Sequence, residues 1–303
     1  MPRHGRILSQ NNHLEAMFMP RWIMEKKLLE FLSEDLGEGD VTVTALIPPN
    51  LTTTAKIIAK QNGIIAGIQE TTILAECLNL KTQPHITDGQ TIKNNQVLLE
   101  LSGNAQTLLT AERTILNLIS RMSGIATQTH TLTQQIKTTN PNLRIAATRK
   151  TAPGLRYFDK KAILIGGGDP HRLHLDDMVL IKDNHIALTG SVEEALKKAK
   201  THASFSKKIE IEVTNIQDAL KAAEGGADII MLDNFSLKQA KEATQILRQL
   251  GHTEVLIEIS GGITPQNILE YAALDINIIS LGGLTHSVKA LDISLEIVSK
   301  KIK

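Results

Sequence analysis

Residues 144–185 read RIAATRKTAPGLRYFDKKAILIGGGDPHRLHLDDMVLIKDNH. Two short apolar runs in this stretch, 145–147 and 178–181, each stop abruptly at cations: Arg149 and Lys150 after the first, Lys182 with Asp183 after the second. Between them lie a helix-like segment, three consecutive glycines (Gly166, Gly167, Gly168) and the pair His171–Arg172. A solvated helix face would spread its charges around the axis. Charge gathered where strands end is instead what an enzyme arranges for an anionic substrate.

The rhythm continues outward. Further apolar runs fall at 209–213, 228–232, 255–259 and 277–281, with helical patterns at 192–199, 216–223, 237–250 and 265–273. Short strands alternating with helices imply parallel βαβ units. Without a dinucleotide fingerprint, that many units favour a closed or nearly closed barrel over an open sheet. The expected fold is α/β: an N-terminal α+β sandwich-like domain (21–128), then an irregular parallel βα barrel (129–286), closed or incomplete. A C-terminal helix over 287–302 would cap the barrel or return to the first domain.

Composition narrows the function. The chain has 303 residues, and a formal net charge of +1 gives no field for nucleic acid. With one Trp, two Tyr and five Phe, the core must be aliphatic and base-stacking platforms are lacking. Cys77 is alone, so no disulfide framework or cysteine-based zinc site is expected. No apolar run reaches the roughly 18 residues of a membrane span. Residues 1–20 lack a signal peptide's apolar centre and read as a disordered extension or an over-called start. A cytoplasmic enzyme is the default expectation.

In the N-terminal half, 22–36 has the spacing of an amphipathic helix and 41–48 reads as extended or turning. Segments 53–59 and 64–68 flank Gln61-Asn62-Gly63, a tight reversal between two strands. A helix is expected over 69–78. The alternation in 88–103 suggests a short β meander, similar to a biotin- or lipoate-carrier domain but without the lysine such a domain presents. Residues 104–137 read as two helices broken near Ser123–Gly124, with Leu108, Ile115, Ile119 and Met122 on one face and Arg113 opposite, where a lone Arg is usually only solvated.

In a βα barrel the strand C-termini face the site. The residues there are Arg149, Lys150, Lys182, Asp183, Glu212, Asp233 with Asn234, Ser260-Gly261-Gly262 and Gly282-Gly283. Cations come from the early strands, carboxylates from the middle ones and glycine turns from the last two. Glycine pairs before a helix expose backbone N–H groups to an anion, so two such turns point to phosphate. Glu212 and Asp233 could be surface acids or caps, yet two carboxylates with substrate phosphates suffice for Mg²⁺. His171-x-x-His174 with Asp176 and Asp177 could chelate a transition metal, but Arg172 and Lys182 would repel it. Lys182 as a Schiff-base amine would need desolvation, which neighbouring carboxylates oppose.

These residues carry a resemblance. EDLGEGDVT (34–42), AERTILNLISRMSGIAT (111–127), TRKTAPGLR (148–156), GGGDPHR, LIKDNH, EIEV, MLDNF, ISGGI and LGGLTHS (281–287) occur in the order and spacing of the quinolinate phosphoribosyltransferase family, over about 22–299. Pro170 departs from the Asn usual before His-Arg. The resemblance implies transfer of phosphoribosyl from 5-phosphoribosyl 1-pyrophosphate to quinolinate with Mg²⁺ and loss of CO₂. It implies that Arg113 (from the neighbouring subunit), Arg149, Lys150, His171, Arg172 and Lys182 bind quinolinate. Lys150, Lys182, Glu212, Asp233, Ser260, Gly261, Gly262, Gly282, Gly283 and His286 would bind the donor, with Lys150, Lys182, Glu212 and Asp233 catalytic. It also implies a homodimer with shared sites, or a hexamer of such dimers. A nicotinate-using enzyme or the molybdenum-transport-associated relative is the alternative, as is a barrel lyase centred on Lys182.

Overall fold

The structure, a computed structural model, describes residues 19–298. Residues 1–18, most of the expected N-terminal extension, lie outside it. The chain folds as two compact units: one holds the sequence through Gln128 with 161–167 and the segment from Val288, the other Thr129–Lys160 and Gly168–Ser287.

The first unit is built on a four-stranded antiparallel sheet, ordered β12-β1-β5-β3, from β1 (Thr52–Ala59), β3 (Lys81–Pro84), β5 (Val97–Asn104) and β12 (Ile293–Ile297). Helices α1 (Arg21–Leu36) and α3 (Ile68–Cys77) pack together, tied by Arg21 to Glu76 at 2.7 Å. Several expectations fail here. Residues Val41–Leu46 form a helix, α2, because Asp40 caps it by accepting the Val43 N–H at 2.9 Å, which outweighs the β-branched run. The expected 53–68 hairpin is absent. β2 (Gly63–Ile64) pairs with β4 (Thr91–Ile92), and Ile64 donates to Thr127 Oγ1 at 2.8 Å, turning the chain away from β1. The 88–103 meander fails likewise: β4 pairs with β2, while β5 lies between β1 and β3.

Helix α4 (Ala105–Lys137) is continuous through Ser123–Gly124. Ser123 Oγ hydrogen-bonds the Ala66 N–H and carbonyl, both at 3.1 Å. A Cβ on Gly124 would come 2.1 Å from the Lys289 carbonyl oxygen. The small residues permit close approach and break nothing. The C-terminal helix is also wrong: Ile293–Ile297 is a strand antiparallel to β1, with Ala59 opposite Ile293. Residues 291, 293, 295 and 297 alternate in the strand period, and β1 offered a free edge.

The second unit carries six parallel strands: β6 (Arg144–Ala147), β7 (Val179–Ile181), β8 (Ile209–Val213), β9 (Ile229–Asp233), β10 (Leu256–Ser260) and β11 (Ile278–Leu281). Their order is β6-β11-β10-β9-β8-β7, so the first strand lies beside the last, as in a barrel. No ladder joins β6 to β7. Asp169 fills part of the gap, donating to the Ile145 carbonyl at 2.7 Å and accepting from Ala147 at 3.0 Å. The barrel is incomplete. Its core is aliphatic, with Ile211, Ile230, Leu232, Ile257, Ile259 and Ile279 fully buried.

The helices follow the strands: α5 (Arg156–Ile165), α6 (Asp183–Thr189), α7 (Val192–His202), α8 (Ile216–Glu224), α9 (Leu237–Gln249), α10 (Ile268–Ala272) and α11 (Gly283–His286). Ser191, Asn215 and Ser236 cap α7, α8 and α9, so each helix starts at a defined point after its strand. No described helix is long and apolar enough to cross a membrane.

Candidate active site

The strand C-termini of the second unit hold the charged residues anticipated there. Arg149, Arg172, Lys182 and His185 line a cavity of about 520 Å³ with Leu175, Met178 and Leu180 among its apolar walls. Lys207 and Asp176 also border it, leaving cations in clear excess. Arg149 Nε is buried with no hydrogen-bond acceptor among the described residues. A buried guanidinium donor without a partner is costly unless a ligand supplies the acceptor.

Lys182 Nζ donates to Glu212 Oε2, joining the ends of β7 and β8. Asp233, at the end of β9, accepts from Asn234 Nδ2 at 2.6 Å. Burial, then the neighbouring Glu212 carboxylate, pushes the Asp233 pKa upward. Two hard carboxylates close enough to repel one another suit a divalent cation with oxygen ligands. Asn234 has φ +56° and donates its N–H to the Ser260 carbonyl at 2.8 Å. That places Gly261 against Asn234, where a Cβ would meet Asn234 Oδ1 at 2.3 Å; Gly261 and Gly262 both have positive φ.

The glycine turns differ from expectation in one respect. Gly261–Gly262 do not lead straight into a helix, since α10 begins only at Ile268. Gly282 does, as the N-cap of the four-residue α11. A Cβ at Gly282 would touch the His286 ring at 3.0 Å and Lys150 Cδ at 3.4 Å. Lys150 and His286 thus flank Gly282, and Thr285 Oγ1 secures the Lys150 carbonyl at 3.0 Å. Arg113 is exposed on α4, in the first unit.

His171 brings in residues that the sequence reading missed. Its Nε2 lies 3.2 Å from Glu210 Oε2 and 3.3 Å from Glu258 Oε2, both carboxylates fully buried. Alternate residues on a strand share a face, so Glu210 sits one layer below Glu212, and Glu258 below Ser260. Burial alone would lower the His171 pKa, but the two carboxylates outweigh it and push it up to about 10. His171, Glu210 and Glu258 are also close enough to hold a metal ion. The hydrogen bonding speaks against that. Nε2 faces the Glu210 and Glu258 carboxylates, which hold a proton on it, and a protonated ring nitrogen has no lone pair to offer a metal. The signal available in the sequence was a glutamate inside each of two apolar strands, IEIEV and LIEIS.

Cations over a cavity, carboxylates beside them and glycine turns at the same strand ends suit an enzyme of anionic reactants on a parallel βα scaffold. Comparison with known proteins narrows the class. Residues 40–123 match the quinolinate phosphoribosyl transferase N-terminal domain, and 125–296 match the quinolinate phosphoribosyl transferase C-terminal domain. A probable nicotinate-nucleotide pyrophosphorylase (carboxylating) of Methanocaldococcus jannaschii is 46% identical over 276 residues, covering 90% of this chain and 95% of that protein. The corresponding protein of Methanothermobacter thermautotrophicus is 42% identical over 269 residues, covering 88% and 96%. The nicotinate-nucleotide pyrophosphorylase structure from Francisella tularensis superposes with a TM-score of 0.85 at 36% identity, covering 93% of this chain and 98% of the other. The chain belongs to the quinolinate phosphoribosyl transferase family.

Proposed function

We propose that this protein transfers the phosphoribosyl group of 5-phosphoribosyl 1-pyrophosphate to quinolinate with decarboxylation. The products are nicotinate mononucleotide, pyrophosphate and CO₂, and the reaction belongs to NAD biosynthesis. The observation that carries this reading is the cavity lined by Arg149, Arg172 and Lys182, where the Arg149 guanidinium has an unpaired buried donor. A planar dicarboxylate supplies the acceptors that such a set lacks, and Arg matches carboxylate geometry two bonds at a time. His171 supports the grip through the loop that carries Arg172. Arg113, exposed on its helix, is available to a neighbouring subunit, in keeping with a homodimer that shares its sites.

Lys150, His286 and the Gly282 turn form the cradle for the donor's 5-phosphate, together with Ser260, Gly261 and Gly262. Glu212 and Asp233 face the ribose and would hold Mg²⁺ with the donor's oxygens; when bound, the ion neutralises charge on the departing pyrophosphate. As the C1–O bond to pyrophosphate breaks, the quinolinate nitrogen gives its electron pair to the anomeric carbon. Lys150 and Lys182 stabilise the leaving anion, and the two carboxylates stabilise the positive ribose. The C2–carboxylate bond then breaks, the pyridinium receives the electrons, CO₂ departs and a proton replaces it at C2. Holding both reactants in line contributes much of the acceleration. The protein is expected to work in the cytoplasm.

The test is direct. Purified protein with 5-phosphoribosyl 1-pyrophosphate, Mg²⁺ and quinolinate labelled in the 2-carboxylate should release labelled CO₂ and form nicotinate mononucleotide. Consumption of nicotinate with quinolinate inert would refute the reading.

A further inference from the structure

Lys160, on α5, is fully buried. Its ammonium meets three backbone carbonyls: Ala147 at 3.4 Å, Arg172 at 3.0 Å, and Pro170. A lysine has three N–H donors and no acceptor, so this set uses its whole capacity. The three carbonyls come from two separate segments. Ala147 ends β6, two residues before Arg149. Pro170 and Arg172 bracket His171, whose φ of +51° is unusual for a side chain with a Cβ. The lysine therefore ties together the two backbones that present the cavity's guanidinium groups.

Stability does not explain the choice of residue. Burial lowers the Lys160 pKa to about 8; Asp169 on the loop opposes the shift, and Arg156 on α5, Arg149 and Arg172 add to it. A group whose folded pKa lies below its unfolded value contributes stability only as pH rises past the folded value. Near neutral pH the buried ammonium is therefore a cost to the fold. It supplies, in return, a fixed distance between Arg149 and Arg172.

We propose that Lys160 is a positioning residue for the quinolinate grip, cross-linking the β6 exit to the 170–172 loop so that Arg149 and Arg172 are spaced for one dicarboxylate. The inference rests on the quinolinate reading above. It predicts selectivity: the donor is gripped by the Gly261 and Gly282 turns and by Lys150, whose carbonyl Thr285 Oγ1 secures apart from this cross-link. It also predicts linkage, because quinolinate favours the form in which the ammonium is charged and the two segments are held.

The experiment compares the full-length wild-type chain with Lys160→Met by calorimetric titration with quinolinate alone and by steady-state kinetics for the donor. Lys160→Met should raise the quinolinate Kd at least tenfold and leave the donor KM within twofold. At pH 8.5, in buffers of different ionisation enthalpy, wild-type binding of quinolinate should take up protons, and the variant should lose that uptake. The wild-type measurement stands even if the variant does not fold. Quinolinate binding by the variant within twofold of wild type, or no proton uptake by wild type at pH 8.5, would overturn the inference alone. Failure of the wild-type chain to bind quinolinate at any pH would overturn the substrate reading and this inference with it.

Discussion

Lys182 Nζ donates to Glu212 Oε2 across the ends of β7 and β8, whose register pairs Ile181 with Ile211 one residue earlier. The pair joins a cation lining the cavity to a carboxylate that neighbours Asp233. It also engages the amine that a Schiff-base lyase would need free.

Because the Lys182 side chain is 42% exposed, the pair adds less than about 1 kcal/mol to stability. Lys182→Ala should accordingly leave the urea midpoint nearly unchanged. The kcat should fall by about 10²–10³, the usual effect of removing one group that stabilises developing charge. Borohydride should trap no adduct on the wild-type protein. A trapped adduct, or a large loss of stability with normal kcat, would contradict this role.

On the proposed quinolinate grip, Arg149→Ala and Arg172→Ala would each remove a charge-assisted carboxylate contact worth about 1.5–3 kcal/mol. The quinolinate Kd should therefore rise roughly 10- to 150-fold. The donor's KM should change far less. Equal losses for both substrates, measured by titration of each separately, would show that the cavity does not sort them as described.

Gly261 and Gly283 form a contrasting pair. Gly261 has φ +83°, and a Cβ there would lie 3.0 Å from the Asn234 backbone nitrogen as well as against its side chain. Nothing lies within 4 Å of a Cβ on Gly283. Gly261→Ala should cost about 1–3 kcal/mol in strain and raise the donor KM more than tenfold. Gly283→Ala should be tolerated in stability, and thermal denaturation of the two variants checks the contrast.

What the sequence made legible follows from where each signal lives. Strand ends were readable because an apolar run stops at a charged residue, as Ile181 does at Lys182. Glu210, Glu258 and Lys160 were not, because a buried charge is defined by partners on other strands and loops, which spacing along one strand cannot supply. Ser123–Gly124 looked like a helix break because small residues favour turns; here they serve close packing against the Lys289–Ala290 backbone. Residues 291–297 alternate in the strand period, yet so short a run does not fix an element alone, and the free edge of β1 decided it. Arg113 has no local signal at all: it is an exposed arginine on a helix, singled out by family likeness.

Asp88 supplies a pH test in the first unit. Its Oδ1 accepts the N–H groups of Gly67 and Ile68 at 2.8 and 2.9 Å. Burial, then Glu70, outweighs Lys161 and raises its pKa to about 6. A carboxyl whose folded pKa is raised contributes stability that is complete below its ordinary value and lost as pH rises through about 6. Asp88→Asn keeps the acceptor and removes the charge. Its Tm should match wild type near pH 4 and exceed it above pH 6.5, where ionised Asp88 is a burden. A Tm difference that stays constant across that range would refute the assignment.

Shared sites make one further claim testable. Arg113→Ala removes the residue assigned to the neighbour's cavity, and Lys182→Ala removes one assigned to its own subunit's cavity. Each homodimer should be nearly inactive. In a mixed dimer, one site carries both lesions and the other carries neither, so co-refolding the two variants in equal amounts should restore activity. Random pairing makes half of the dimers mixed, each with one intact site, so recovery should approach one quarter of wild type. Mixed dimers demonstrated by differential tagging but devoid of activity would place Arg113 and Lys182 in the same subunit's site. Without dimers of any kind at the assay concentration, Arg113 could have no role in catalysis by a neighbour, and Arg113→Ala should then retain full activity.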